Sequence, residues 1–297
     1  MGAEAGGVDQ LPLFEDVAPA VAPERVEPLR VGRCTVSVGT CGYSYREWIG
    51  AFYPPRIRSQ EMLAWYARFF PTVEIDSTYY GVPTAAATSS MARRTPDGFT
   101  FTAKAPGTLT HAPLDAGEPS LADAALFREG VAPLVDAGKL AVVLLQFPNG
   151  FRPGPRAERH LERLRDALAG LPLVAEFRHR DWQANPTLEL LAALGIGWCN
   201  VDEPGFETLL RPAADVVGEV AYVRFHGRNA KTWWKGDAAE RYFYSYTAQE
   251  LQPWVERVAD MASASSQAYV FFNNHRFGHA ASNAATFAQM LAAATSV

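Results

Sequence analysis

Within the ten residues LVAEFRHRDW (173–182), an apolar run of the kind buried in a sheet ends in Glu176, Arg178, His179, Arg180 and Asp181. On a surface loop such charges cost little. At a strand end that points into a protein they must pair or take part in chemistry. The same change recurs along the chain: apolar runs end at Gly39, Thr40 and Cys41, at Glu74, Asp76 and Ser77, at Lys104, at Gln146, at Asn200 and Asp202, at Arg224 and His226, and at Asn273 and Asn274. Residues two apart in a strand share a face. Glu74 with Asp76, Glu176 with Arg178, Asn200 with Asp202 and Arg224 with His226 are therefore expected to point together, inward, with Ile75, Phe177, Val201 and Phe225 facing outward.

Gathered at one mouth, these side chains suit acid/base work on an anion. Glu176 is the leading base or acid, with Glu74, Asp76 and His226 as further catalytic candidates. Lys104, Arg178 and Arg224, helped by Asn273 and Asn274, form a cationic, hydrogen-bonding floor for a carboxylate, a phosphate or a developing oxyanion. His179, Gln146, Asp202, Tyr43, Tyr80 and Trp234 complete the expected substrate-binding set. The competing account is a structural lattice of ion pairs inside the protein. Carboxylates and imidazoles from Glu74, Glu176, Asp202, His179 and His226 also make up a metallohydrolase-like set, but no HxH or HExxH pair is present, and a divalent metal is not favoured. His160 and His279 read as surface or capping residues, and His111 as part of a loop over the mouth.

Aromatic residues crowd the same connections: Tyr43, Tyr45 and Trp48, then Tyr79 and Tyr80, then Trp182, then Trp233 and Trp234 beside Arg228, Lys231 and Lys235. Rings next to cations can stack a sugar or a base while holding phosphate. Trp48 and Trp182 read better as packing for their loops. The segment GRNAKTWWKGDAAERYFYSY (227–246) has the length of a lid and carries a second reading, a metal-assisted phosphodiesterase or nucleic-acid-processing protein. A third is a ligand-binding protein without turnover, which fold analogy cannot separate from the first. No GxGxxG, Walker-type or GxSxG motif supports a nucleotide cofactor or an α/β-hydrolase mechanism.

What must position these residues is legible as alternation. Eight β-rich runs (35–40, 72–76, 99–104, 140–147, 173–178, 196–202, 220–226 and 268–274) alternate with helical stretches such as 60–69, 155–170, 187–194, 247–261 and 283–293. Thr247 with Glu250 reads as a capping box. Eight parallel strands with intervening helices predict a single TIM-type (β/α)8 barrel, whose C-terminal mouth is where sites are built. The helical patterns are poorest after the second and sixth strands, which keeps an open doubly wound sheet as the alternative. Residues 34–297 form the expected barrel domain and 1–33 an expected flexible tail. Six acids against Arg25 and Arg30 in the first 30 residues account for most of the net charge of −5, so the body is close to neutral and lacks the basic footprint of a nucleic-acid coat. Three scattered cysteines, no membrane-length apolar run and no basic-then-apolar leader predict a cytoplasmic protein.

The chain resembles the bacterial and archaeal DUF72 (YecE-like) family over residues 36–293. The resemblance rests on VGTCGYSYREWIGAFYP (38–54), VEIDSTYY (73–80), FTAKAP with THAP (101–113), LLQFP (144–148), EFRHRDW (176–182), YVRFHGRN (222–229) and FFNNHRFGHAASNA (271–284). It implies a TIM-type barrel and supplies no reaction. Two departures stand out: Cys41 replaces the serine of GTSGW or GTSGY, so a thiol there is read as a buried small residue, and Asp76 stands where asparagine is common.

Overall fold

The computed structural model describes residues 24–111, 119–235 and 238–295. Nine strands occur among them: β1 (Leu29–Val31), β2 (Cys34–Cys41), β3 (Thr72–Ile75), β4 (Thr100–Lys104), β5 (Leu140–Gln146), β6 (Leu173–Glu176), β7 (Ile196–Asp202), β8 (Val220–Phe225) and β9 (Gln267–Phe272). Strands β2 to β9 pair in parallel in sequence order, and β9 pairs back onto β2 over Thr35↔Gln267 to Thr40↔Phe272. This closes the eight-stranded TIM-type barrel and excludes the open sheet.

Closure is uneven. The β2–β3 seam has only two pairs, Thr40↔Val73 and Cys41↔Glu74. The start of β2 would be left with open backbone groups, and β1 covers them as an antiparallel partner, Leu29↔Val36 to Val31↔Cys34. Just before β1, Val26 is buried and its amide donates to the Phe69 carbonyl. The expected tail boundary at 33 is thus too late, because residues 24–33 belong to the barrel. Residues 1–23 of that tail, and Ala112 and Pro113 of the THAP motif, lie outside the described residues.

Helices follow most strands. The helix Ala248–Ser263 starts at the expected capping box, where Thr247 Oγ1 accepts from the Glu250 amide and the Glu250 carboxylate accepts from the Thr247 amide. The helix Ala85–Arg93 fills the weak second connection, with Thr84 as its N-cap. After β7, residues 203–219 contain no helix. Their irregular backbone is held instead by Asn200, whose amide nitrogen donates to the Asp215 carbonyl (2.8 Å) and whose oxygen accepts from the Asp215 amide (3.1 Å).

Asn200 therefore faces away from the barrel axis, which corrects the expected parity of β7. Cys199 points inward, with its sulfur 3.9 Å from Glu176 Oε2, while Asp202 points out to Trp254 of the outer helix. In β3, β6 and β8 the expected parity holds: Glu74, Glu176 and Arg224 meet inside, and Phe225 faces outward, stacked on Phe272 and edge-on to Trp254. No helix among the described residues is long and apolar enough to cross a membrane.

Candidate active site

Arg224 is the hub of the barrel mouth. One terminal nitrogen donates to Glu176 Oε2 at 2.6 Å, and the other donates to Glu74 Oε1 at 2.6 Å and lies 3.5 Å from Asp76 Oδ1. Arg178 Nε lies 2.8 Å from Glu176 Oε1, and Arg178 also donates to Glu203 Oε2 at 3.1 Å. The Tyr222 hydroxyl donates to Glu74 Oε2 at 2.6 Å and lies 2.9 Å from Thr102 Oγ1. His226 places Nε2 3.3 Å from Glu176 Oε1 and Nδ1 3.0 Å from Asn273 Nδ2. Accepting from Asn273 at Nδ1 leaves the proton on Nε2, facing Glu176.

Burial treats these groups differently. It would raise the Glu176 carboxyl, but Arg178 and Arg224 outweigh it and hold this group well below the carboxylate range. Glu74, equally buried, is pushed up to about 7: burial leads, Arg224 opposes it, and the nearby Asp76 charge adds to it. Glu203 reaches about 8 by burial against the pull of Arg178. Burial and then Arg178 press His226 down to about 3, so it is neutral at physiological pH. Burial lowers Lys104 despite the opposing Asp76 charge. Glu176 is thus an ionised anchor for two arginines, and the carboxyls that burial holds toward neutral pH are Glu74 and Glu203.

Above the hub opens a cleft of about 480 Å³. Asp76 is the one carboxylate lining it among the described residues, its side chain 25% exposed. Lys104, Gln146, Arg178, Arg224 and Asn273 form the floor; Tyr80 and Trp234 stand at the rim, where Tyr80 is 84% exposed. These eight expected residues converge, with Glu74, Glu176 and His226 directly beneath through the hub.

Four others do not. His179 follows Arg178, takes the opposite face, and accepts from the Asp181 amide to cap the turn Arg180–Trp182. Tyr43 packs against Tyr66 in the outer core, not in the cleft. Asp202 is completely buried outside the barrel, where it accepts from Arg228, Tyr246 and Trp254. Asn274, one residue past Asn273, also turns outward and donates to the Tyr244 carbonyl and to Asn283. His160, expected as a surface or capping residue, is buried and sits 2.9 Å from the Leu109 carbonyl in the last turn of the short helix Gly107–Thr110. Trp48 and Trp182 pack their loops, donating to the His275 and Phe151 carbonyls.

The sequence reading missed Glu203, Tyr222, Arg241, Tyr242 and His275. Glu203 directly follows a strand end, and Tyr222 shares the inward parity of Arg224, so period two carried a signal for both. His275, stacked 4.7 Å from Tyr45, comes from a loop with no such marker.

Cys41, Glu74 and Asp76 bring three metal-type donors together. Arg224 fills the place of an ion between them, its guanidinium 3.4 Å from the Cys41 sulfur and bonded to Glu74. A metal at this spot would have to displace the arginine. The wider set also fails to fit, since Asp202 and His179 point elsewhere.

The architecture is that of a TIM-type barrel with a buried ion-pair hub under a cationic, aromatic-rimmed mouth. Residues 37–297 match the family described as "Protein of unknown function DUF72", and the chain belongs to it. It is similar to the UPF0759 protein YunF of Bacillus subtilis (strain 168), 31% identical over 275 residues that cover 86% of this chain and 94% of that protein. A DUF72 family crystal structure from Thermotoga maritima is 36% identical with a TM-score of 0.81, covering 86% of this chain and 98% of that one. One from Enterococcus faecalis is 26% identical with a TM-score of 0.76, covering 86% and 95%.

Proposed function

We propose that the protein is an enzyme that performs acid/base chemistry on a small anionic or sugar-like molecule in the barrel mouth. The observation that carries this reading is Asp76: the one cleft-facing carboxylate among the described residues, backed by Glu74, whose carboxyl is pushed up to about 7. Asp76, which stands where the DUF72 pattern commonly has asparagine, is the group within reach of a substrate, so this chemistry is read for this chain's own mouth, with Glu74 as the proton partner behind it. A pair that holds one proton near neutral pH can accept and return a proton without leaving two charges side by side.

Glu176 serves this site by fixing Arg178 and Arg224, and neutral His226 braces it. Lys104, Arg178 and Arg241 give the cleft the positive character that draws an anion. Tyr80 and Trp234 offer exposed rings against which a sugar face can rest. Arg228 is committed to Asp202, so the basic seventh connection is thinner than its composition suggests, and a small molecule fits better than nucleic acid.

The test is a screen of phosphorylated and carboxylated sugars and acids by thermal shift and then turnover, on wild type and Asp76→Asn. Asp76→Asn is expected to keep its fold and bind the hit while losing about 10²- to 10⁴-fold in kcat. Turnover at the wild-type rate in that variant would overturn the reading.

A further inference from the structure

Two buried or half-buried lysines sit in very different surroundings. Lys139, outside the cleft, is saturated: its ammonium donates to the carbonyls of Ala92, Thr95 and Pro96 and to Thr95 Oγ1, at 2.8 to 3.0 Å. Lys104, at the end of β4, has no oxygen acceptor among the described residues. Its ammonium rests on the Tyr79 ring, 4.2 Å from the centroid, and faces the cleft. A structural lysine is held as Lys139 is, because a buried ammonium needs its donors met. An ammonium left without acceptors and exposed only to a cleft is available to a ligand.

The surroundings of Lys104 are fixed. The Thr78 hydroxyl donates to its carbonyl at 2.6 Å. Gly107 leaves room for the Tyr79 ring beneath it, since a Cβ there would stand 3.1 Å from that ring. In the β3–β4 register Ile75 pairs with Ala103, so Asp76 and Lys104 stand side by side at the same level. Arg178 and Arg241 line the same cleft and can hold an anionic group.

We propose that Lys104 is a nucleophile that forms an imine with the aldehyde or ketone carbon of a substrate carrying a phosphate or carboxylate. This rests on the reading of the cleft as an anion-binding acid/base site. The neutral amine attacks the carbonyl carbon, a C–N bond forms, and the carbonyl π pair moves to oxygen. Nitrogen gives up a proton to Asp76, which passes it to the oxygen. The Glu74–Asp76 pair then protonates the hydroxyl, which leaves as water as the nitrogen lone pair makes C=N. The sum is amine, carbonyl and the pair's proton to protonated imine and water, with no change of oxidation state, and water reverses it. A protonated imine acidifies the neighbouring C–H, and Asp76 is placed to take that proton, so the reaction class is bond making or breaking next to a carbonyl. The lowered affinity of Lys104 for its proton favours the required neutral amine.

The chain has four lysines, Lys104, Lys139, Lys231 and Lys235, which makes the test direct. The full-length protein is incubated at neutral pH with pyridoxal 5′-phosphate as an aldehyde probe, reduced with borohydride, and mapped by peptide mass spectrometry. The expected result is an adduct at Lys104 formed about tenfold faster than at Lys231 or Lys235. Excess inorganic phosphate should suppress it, and Lys104→Arg should abolish it while melting like the wild type. Modification of Lys231 or Lys235 ahead of Lys104 overturns the proposal. If phosphate raises the melting temperature but Lys104 is not trapped, the imine fails and the anion site stands. If phosphate neither stabilises nor protects, the anion site fails as well. Should Lys104→Arg not fold, protection of Lys104 by phosphate in the wild type still decides the matter.

Discussion

A carboxylate's neighbours decide its role more than its residue type. Glu74 and Glu176 are both completely buried at the same mouth, yet one holds its proton to about 7 and the other is ionised well below the usual range. Glu176 faces two arginines and Glu74 shares one with Asp76, so the Coulomb balance differs. Arg224 stands between all three. Arg224→Met is expected to lower stability by about 3–5 kcal/mol in urea unfolding, because it leaves buried carboxylates unpaired. A small loss of about 1 kcal/mol or less would show that the surrounding dipoles, not the guanidinium, hold them. Cys41→Ser should cost little by comparison, since a small polar atom still lies beside the Arg224 guanidinium; its native thiol, buried and raised by burial, should not react with thiol reagents in the folded protein.

Among the elements, the segment between β8 and the helix Ala248–Ser263 carries Trp233, Trp234, Arg241 and Tyr242 to the cleft, and it is stapled at both ends outside the barrel. Asp202 accepts from Arg228 at one end and from Tyr246 at the other, and the Tyr246 hydroxyl also accepts from the Gly227 amide. Asn283 pins Tyr246 through its backbone amide and carbonyl. Asp202, expected inside the mouth, therefore acts at a distance by positioning its aromatic wall. Asp202→Ala is expected to lower stability by about 2–4 kcal/mol, since Tyr246 and Trp254 lose buried acceptors. It should raise KM or ligand Kd more than it lowers kcat, and hydrogen exchange across 227–246 should quicken. An equal fall in kcat with KM unchanged would place Asp202 in the chemistry instead. In β2, Gly39 lets β3 approach: a Cβ there would stand 2.3 Å from the Thr72 carbonyl oxygen. Gly39→Ala is expected to cost about 1–3 kcal/mol in thermal or urea unfolding.

For the whole molecule, the mouth sets a pH dependence of stability. Glu74 and Glu203 have folded-state values raised above their unfolded ones, to about 7 and about 8. The folded state then binds more protons than the unfolded chain between about 4.5 and 8, so their contribution falls as pH rises through that window. His226, lowered to about 3, works the other way, adding stability as pH rises from about 3 to 6.5. Between about pH 4.5 and 6.5 two carboxyls outweigh one imidazole, so the stability these groups contribute should climb only below about 4.5, decline above it and decline most steeply from about 6.5 to 7, and Glu203→Gln should flatten that decline. An unchanged slope would mean that Glu203 is ionised throughout. The sequence by itself determined the barrel, because alternation of β-rich and helical runs is a local property of the chain. It also determined that charges gather at one end of the strands, and period two placed Glu74, Glu176 and Arg224 inside. It did not determine the parity of β7, where Asn200 and Asp202 look as inward as Glu176 and Arg178 but serve the outer layer. Alternation tells that two residues share a face; which face depends on the partner strands and on the helix-free connection of 203–219 that needs those polar groups. Nor could it rank the carboxylates or the lysines. Protonation and reactivity depend on which groups from distant strands come within a few ångströms, and only barrel closure brings Arg224 to Glu74 and Glu176 and leaves Lys104 without an acceptor among the described residues.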